Sequence, residues 1–325
     1  MGINWMKTKH TLSKLKTVVP NILTVIILTA FLIYLVKNLD RYWQLLNLSP
    51  YLIGWAFALS VLLMFTNGLI NFFLYRGLGV PLTINEGFGL ASVNSLANLL
   101  PFAGGMIAKG IYLKRKHQLA YTHFLSATMA LYVCFVAANG VVGLALLSYW
   151  KLVDKTNLPI LLFIGFLVMA ASIIVLWLPL DLDLVSDKWQ QRLLQLMQGW
   201  YILVKNRWLI AELVGIQLLM TLIFAARIWI SFHLLSQNVT LAQCVLFSAA
   251  TILTNLVSIT PGGLGVREVI VAAVATVLGF DADISILAVG IDRLVATLVI
   301  IILGTIYTYV LTNQAMNTSP SISES

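Results

Sequence analysis

Apolar stretches, each long enough for a helix that crosses a lipid bilayer, recur along the whole sequence. A transmembrane helix takes about 20 consecutive apolar residues. Only 10% of the residues are charged, against about 25% in a typical soluble domain. The sequence therefore predicts an all-α polytopic membrane protein with about six full transmembrane helices. The six predicted spans are 18–36, 51–74, 121–148, 159–180, 208–235 and 284–311.

The first of these spans follows a basic N-terminus, as the apolar segment of a secretory signal peptide does. Its apolar run, from Val18 to Val36, is long enough to cross the bilayer, and no A-x-A-like cleavage site follows it. We therefore expect a retained first helix. The net charge of +8 fits cytoplasmic loops rich in lysine and arginine, so no nucleic-acid partner is expected.

Two further apolar stretches, about 85–113 and 241–280, are interrupted near their middles by proline and glycine. The first contains LANLLPFAGGMIAKG (96–110), and the second contains LTNLVSITPGGLGVRE (253–268). Residues in the two stretches match at an offset of about half the chain, which predicts a single membrane domain, 1–311, built from two repeats at about 18–150 and 159–311. The matched residues, 157 or 158 positions apart, are Asn98 with Asn255, Gly104 with Gly262, Gly105 with Gly263, and Lys109 with Arg267.

The positions of the basic residues indicate how the interrupted stretches enter the membrane. If each stretch returns to the side from which it entered, 13 of the 20 lysines and arginines lie on the cytoplasmic side and four lie outside, as the positive-inside rule requires. A single crossing by the first stretch would give 7 inside and 10 outside. We therefore expect a cytoplasmic N-terminus and two re-entrant-like helical hairpins. Three spans separate the hairpins, so they are expected to be inverted, as in alternating-access transporters.

Two remaining segments differ from the spans in composition. Residues 186–204 place their large apolar side chains on one helical face, with Lys188 and Arg192 off it, which predicts an amphipathic helix lying in the membrane interface. Residues 312–325 are polar and are expected to form a disordered tail.

The interruption at Thr260–Gly265 indicates a cavity, because non-helical backbone within a bilayer needs protein or water to satisfy its polar groups. The segment after the break begins a new helix, whose free N–H groups and positive dipole end suit a phosphate or carboxylate. Gly104 and Gly105 offer the same feature in the first repeat. The alternative is that these glycines only let helices pack closely.

Ionisable residues within the apolar stretches are the strongest candidates for binding. Glu268 is expected to pair with Arg293, since neighbours on a helix point about 100° apart and so Glu268 need not pair with Arg267. Three arginines against two carboxylates leave a formal charge of +1, which an anionic headgroup would neutralise; the alternative is a closed structural network of ion pairs. The candidate substrate-binding residues are Arg267, Glu268, Arg293, Asp292, Arg227, Gly262, Gly263, Gly265, Pro261, Asn255, Asn98, Gly104, Gly105 and Lys109.

The sequence contains no nucleotide-binding loop, nucleophile elbow or zinc signature. We therefore expect no cofactor, no metal and no enzymatic activity, and no transport powered by ATP hydrolysis within this chain.

The stretches NLLPFAGG (98–105) and PGGLGVRE (261–268), together with the DR pair at 292–293, resemble the transmembrane region of the lysylphosphatidylglycerol synthase/flippase family. The resemblance covers about 18–311. It implies a bacterial or archaeal cell membrane, and in better-known relatives this region is implicated in moving aminoacylated phospholipid between leaflets. We expect the soluble aminoacyltransferase domain of those relatives to be absent, and therefore expect no lysyltransferase activity.

The features of the sequence favour a flippase-like transporter whose partners are membrane lipids. It would pass an anionic or zwitterionic lipid headgroup through a polar cleft between the hairpins while the lipid tails stay in the bilayer. Two alternatives stay open: a transporter of a lipid-linked sugar intermediate or a small anion, and a non-catalytic accessory protein for an enzyme that modifies lipids or glycans.

Overall fold

Helices account for all the regular structure in the residues that a computed structural model describes, which are 49–99, 104–153, 158–177, 205–255, 263 and 265–317. No strand occurs among them, as an all-α membrane protein requires. The α-helices are α1 (Pro50–Gly77), α2 (Ile84–Ala97), α3 (Gly104–His117), α4 (Tyr121–Leu152), α5 (Ile160–Ala171), α6 (Arg207–Leu234), α7 (Leu241–Thr251), α8 (Val266–Val277) and α9 (Ala282–Asn317). Short 3₁₀ turns extend α5 over Ser172–Trp177 and α7 over Ile252–Asn255.

Four of the six predicted spans correspond to helices that are long and apolar enough to cross a membrane, namely α1, α4, α6 and most of α9. The span predicted at 159–180 begins as the 12-residue helix α5 and narrows to a 3₁₀ turn, and the description stops at Trp177. The span at 18–36 and the amphipathic helix at 186–204 lie outside the described residues. The chain is thus a multi-pass helical membrane protein.

The predicted boundary of the C-terminal tail is wrong for residues 312–317, which continue helix α9. The burial of one side chain and one hydrogen bond explain the longer helix. Leu311 is buried, and the Gln314 side chain accepts a hydrogen bond of 3.3 Å from the Lys116 ammonium. Residues 318–325, the rest of the predicted tail, lie outside the description.

The two halves of the chain have the same helix boundaries at a constant offset. Helices α1 and α6 each contain 28 residues, and both their starts and their ends are 157 positions apart, as are the starts of α2 and α7. The turns after α1 and α6 also correspond, since Gly79 and Ser236 both have left-handed backbone conformations. Thr83 and Thr240 then form capping boxes at the starts of α2 and α7. This is the offset at which the sequence matches itself.

Helices α1 and α6 pack against each other in opposite directions. Gly77, at the end of α1, lies against the side chain of Leu209, near the start of α6. At the other end, Ala56 of α1 clusters with Ile230 and Leu234 of α6. The starts of α2 and α7, which follow the ends of these two helices, are therefore at opposite ends of the helix pair.

Each short helix pair closes back on itself. Glu86, at the start of α2, accepts hydrogen bonds from Tyr112 and Lys116, in the last two turns of α3. After α8, Phe280 packs against Phe232, near the end of α6 and the turn that leads into α7, with ring centroids 6.1 Å apart, and also against Phe247 of α7. The start of α2 and the end of α3 are thus neighbours, and so are the start of α7 and the end of α8.

Candidate functional site

A cavity of about 340 Å³ lies between the two halves of the chain. Matched positions of the two halves contribute to its wall, so the cavity sits where the halves meet. Three such pairs, each 157 positions apart, are Ser60 with Gln217, Leu63 with Met220, and Ile70 with Arg227.

Four cationic side chains line the cavity, namely Lys109, Arg227, Arg267 and Arg293. They come from helices α3, α6, α8 and α9. All four were candidates from the sequence, and the structure brings them to one space although they are up to 184 positions apart in the chain. Asn98 and Gly263, also candidates, line the same cavity.

Two of these cations are held in buried ion pairs. Arg293 Nη1 lies 2.6 Å from Glu268 Oε1, which confirms the pairing expected from the sequence. Arg227 Nη2 lies 2.7 Å from Asp292 Oδ1 and also donates to the Asp292 carbonyl at 3.1 Å. The four side chains are at most 9% exposed, so each arginine depends on its carboxylate for charge compensation.

The other two cations, Lys109 and Arg267, form no salt bridge with a carboxylate among the described residues, although Asp292 and Glu268 are close enough to attract Arg267 electrostatically. Lys109 Nζ donates a 3.0 Å hydrogen bond to the Asn71 amide oxygen. The Arg267 guanidinium stacks 5.0 Å from the Phe224 ring centroid, and its buried Nε has no hydrogen-bond partner within the described part of the chain. Four cations against two carboxylates leave a formal charge of +2. The count made from the sequence is +1, because it includes the three arginines but not Lys109.

The start of helix α8 is capped by the protein itself. Gly265 N donates to Glu268 Oε2 at 2.9 Å. Glu268 therefore caps the helix with Oε2 and pairs with Arg293 through Oε1. Similarly, Gly105 N, near the start of α3, donates to the Asn98 side chain at 3.0 Å. From the sequence, we expected N–H groups at these helix starts to bind a ligand, but these two already have acceptors within the protein. The cationic side chains are therefore the better anion contacts.

The glycines divide into two kinds. Gly263 and Gly265 have φ of +68° and +82°, which a residue with a Cβ adopts only with strain. Gly104 and Gly105 instead permit close packing, since a Cβ on Gly104 would meet the Ala97 carbonyl oxygen at 2.7 Å and one on Gly105 would collide with Asn94. Close packing was the alternative weighed for that pair. Pro261, Gly262 and the Asn255 side chain lie outside the description.

We expect Gly265→Ala to lower the free energy of unfolding by about 1–3 kcal/mol, the usual range for a strained backbone. No atom lies within 4 Å of the added methyl group, so the backbone conformation is the cause. Gly54→Ala is the matched control, because Gly54 also has open space around it but lies within helix α1, where alanine should stabilise by about 0.5–1 kcal/mol. Thermal unfolding in one detergent would measure both. Equal melting temperatures for the two variants would contradict the expectation.

The sequence reasoning missed most of the uncharged polar lining of the cavity, since it named Asn98 but not Asn67, Asn71 or Asn94. Asn67 and Asn71 lie four residues apart on α1, and Asn94 lies four residues before Asn98, the C-cap residue of α2, so each pair shares one helical face. Polar side chains inside apolar spans were the available signal, because burying them in lipid is costly. The described residues include no group of three or more His, Cys, Asp or Glu that could hold a metal ion.

Comparison with known proteins places the chain in a family. The family model described as the lysylphosphatidylglycerol synthase TM region matches residues 12–304, a range that includes every residue lining the cavity. A search of curated proteins finds no match. The extent of the family match means that this chain belongs to the lysylphosphatidylglycerol synthase transmembrane-region family, whose description suggests a membrane protein related to lipid modification or transport.

Proposed function

We propose that this protein is a flippase-like transporter that moves a phospholipid, or a related lipid with an anionic or zwitterionic headgroup, between the leaflets of a membrane. The observation that carries the proposal is the cavity between the two halves, which holds two cations, Lys109 and Arg267, without carboxylate partners among the described residues. A lipid phosphate would supply the missing negative charge, and arginine suits phosphate recognition well.

The arrangement of helices supports transport by alternating access. We infer that α2–α3 and α7–α8 are inverted hairpins, because α1 and α6 run antiparallel and each hairpin's free ends are neighbours. Inverted repeats of broken helices around a central site are typical of secondary transporters. The same proposal includes the bacterial or archaeal cell membrane and the cytoplasmic N-terminus inferred from the sequence.

The size of the cavity suits a lipid headgroup. About 340 Å³ lies at the lower end of the range for small-molecule sites, which is about 300–1,000 Å³. We propose that the acyl chains remain in the bilayer while the headgroup crosses. Since the family description concerns a lipid, we favour a lipid cargo over a small soluble anion.

A lipid-scrambling measurement with Arg267→Gln tests the proposal. The substitution removes one cavity charge without leaving a carboxylate unpaired among the described residues. A hydrogen bond to a charged group contributes about 1.5–3 kcal/mol, so we expect the rate to fall by roughly 10- to 100-fold. The assay is dithionite quenching of fluorescent phosphatidylglycerol and, separately, of fluorescent phosphatidic acid in liposomes that contain the purified protein.

Arg76→Gln is the matched control for that assay. Arg76 is exposed at the end of α1, lies 5.0 Å from the Phe72 ring centroid and does not line the cavity, so its loss should leave the rate unchanged. The proposal would be rejected if the wild-type protein moved lipid no faster than protein-free liposomes. Equal rates for Arg267→Gln and the wild type would reject the role of the cavity.

A further inference from the structure

No carboxylate oxygen on the described cavity wall is available to a positively charged headgroup. Both oxygens of Glu268 are occupied, by Arg293 and by the backbone of Gly265. Asp292 holds Arg227 through Oδ1, and its Oδ2 is buried without a hydrogen-bond partner among the described residues. Neither carboxylate lines the cavity. An ammonium group placed there would face four cations and no acceptor of opposite charge.

The formal charge of the cavity therefore restricts the cargo to a particular class of lipid. A phosphodiester, such as that of phosphatidylglycerol, carries one negative charge and leaves one cation uncompensated. A terminal phosphate monoester carries about −1.5 to −2 at pH 7 and matches the formal +2. The charge excess thus favours a headgroup with two negative charges over one with a single charge or a zwitterion.

The rest of the wall suits the oxygens of a terminal phosphate. The amides of Asn67, Asn71, Asn94 and Asn98 line the cavity and add hydrogen-bond donors without adding charge. Asn98 uses its amide oxygen as the acceptor for Gly105 N, which leaves its N–H groups for other acceptors. Asn71 accepts from Lys109 and donates from Nδ2 to the Gly87 carbonyl at 3.2 Å, so one of its two N–H groups is already used. A phosphate monoester has three terminal oxygens that accept such bonds.

We propose that the cavity selects a lipid whose headgroup ends in a phosphate dianion and carries no amine. This inference rests on the proposed function and narrows it, since it excludes zwitterionic and aminoacylated headgroups. Two kinds of lipid share the chemistry: a diacylglycerol phosphate and a phosphorylated isoprenoid alcohol. The cavity contacts only the headgroup, so the experiment has to separate these two sources.

Native mass spectrometry of the full-length protein provides the test. The probe is an equimolar mixture of phosphatidic acid, phosphatidylglycerol, phosphatidylethanolamine and lysylphosphatidylglycerol with identical acyl chains. We expect phosphatidic acid to bind at least about tenfold more tightly than phosphatidylglycerol, a difference of about 1.4 kcal/mol, and the two amine-bearing lipids to bind most weakly. A second arm compares an isoprenyl monophosphate with phosphatidic acid and identifies which tail is preferred.

Substitutions of Lys109 and Arg267 test whether these two cations cause the preference for phosphatidic acid. Lys109→Gln and Arg267→Gln should each bring the affinities for phosphatidic acid and phosphatidylglycerol close together, whereas Lys109→Arg and the external control Arg76→Gln should preserve the tenfold difference. Equal wild-type binding of phosphatidic acid and phosphatidylglycerol, or preferred binding of an amine-bearing lipid, would overturn the inference. A preference that both glutamine variants retain would also overturn it.

The outcome separates this inference from the proposed function. Selective binding of phosphatidic acid without any movement between leaflets would reject transport and uphold the dianion selectivity. Movement of phosphatidylethanolamine that depends on Arg267 would uphold transport and reject the selectivity.

Discussion

Asp292→Ala is expected to lower the free energy of unfolding by about 3–5 kcal/mol, the usual cost of removing one partner from a buried ion pair. The Arg227 side chain is 3% exposed and lies 2.7 Å from the Asp292 carboxylate. Without that carboxylate, the guanidinium keeps the Asp292 backbone carbonyl as an acceptor but has no counter-ion. Chemical unfolding in a single detergent would give the difference in free energy.

The double substitution Arg227→Met with Asp292→Leu is the control for this effect. Replacing a buried ion pair with apolar residues of similar volume is often neutral or stabilising, so the double variant should recover most of the stability lost in Asp292→Ala. It also leaves the formal charge of the cavity at +2, because one cation and one carboxylate are removed together. A double variant as unstable as the single one would show that burial of the unpaired charge is not the cause.

The same double variant separates two roles of the Arg227–Asp292 pair. If the pair only joins α6 to α9, lipid binding should persist once stability is restored. If Arg227 contacts the headgroup, binding should fall even in a stable protein. Arg227 lines the cavity, whereas Asp292 does not, so the two residues of the pair need not share a role.

Four of the membrane spans and one ion pair could be predicted from the sequence, because the spans follow from local hydropathy and the pair from a small set of charges. Apolar length alone determines whether a helix such as α4 can cross a bilayer. The pairing of Glu268 with Arg293 followed from a small set of buried charges in which adjacent residues point apart. The correspondence of Lys109 and Arg267 between the two repeats could also be predicted. That both cations line one cavity and raise its formal charge could not.

The Arg227–Asp292 pair could not be predicted, because it depends on the relative position of α6 and α9 along their shared interface. These residues are 65 positions apart, and hydropathy carries no information about how two spans align. The capping of α8 by Glu268 did have a local signal. An acidic residue three positions after the N-cap residue is the spacing of a capping box, here with Gly265 in place of serine or threonine.

The helical start of the tail shows a different limit. Residues 312–317 are polar in sequence, and composition alone favours disorder. The contact of Gln314 with Lys116 brings the end of α9 to the end of α3, nearly 200 positions away. A tertiary contact at such a separation has no local sequence signature.

That contact belongs to a charged cluster around Glu86, which has no acidic counterpart at the matched position of the second half. Glu86 accepts hydrogen bonds from the side chain of Lys116 and from Tyr112 Oη, the latter at 2.9 Å, and is 6% exposed. The corresponding residue, 157 positions on, is Gln243, whose capping box with Thr240 is exposed and neutral. An ion pair between Glu86 and Lys116 therefore joins the start of α2 to the end of α3, whereas the start of α7 has only a neutral, exposed helix cap.

Glu86→Ala is accordingly expected to lower the free energy of unfolding by about 2–3 kcal/mol at pH 7, since hydrogen bonds to charged groups contribute about 1.5–3 kcal/mol. Gln243→Ala, at the matched position, should cost about 1 kcal/mol or less, as for an ordinary helix cap. Equal losses in the two variants would contradict a special role for the charged cluster.

The pH dependence of stability gives a second measure of the same cluster. Burial raises the pKa of Glu86, but hydrogen bonds from Lys116, from the Thr83 backbone and from Tyr112 outweigh it and hold the pKa at about 2, below the usual 4.5. A lowered pKa in the folded state means that the ionised carboxylate stabilises the fold above about pH 4.5, and this contribution is lost as the pH falls toward 2. The difference in unfolding free energy between the wild type and Glu86→Gln should therefore shrink over that interval. A difference independent of pH would mean that the charge of Glu86 does not stabilise the first hairpin.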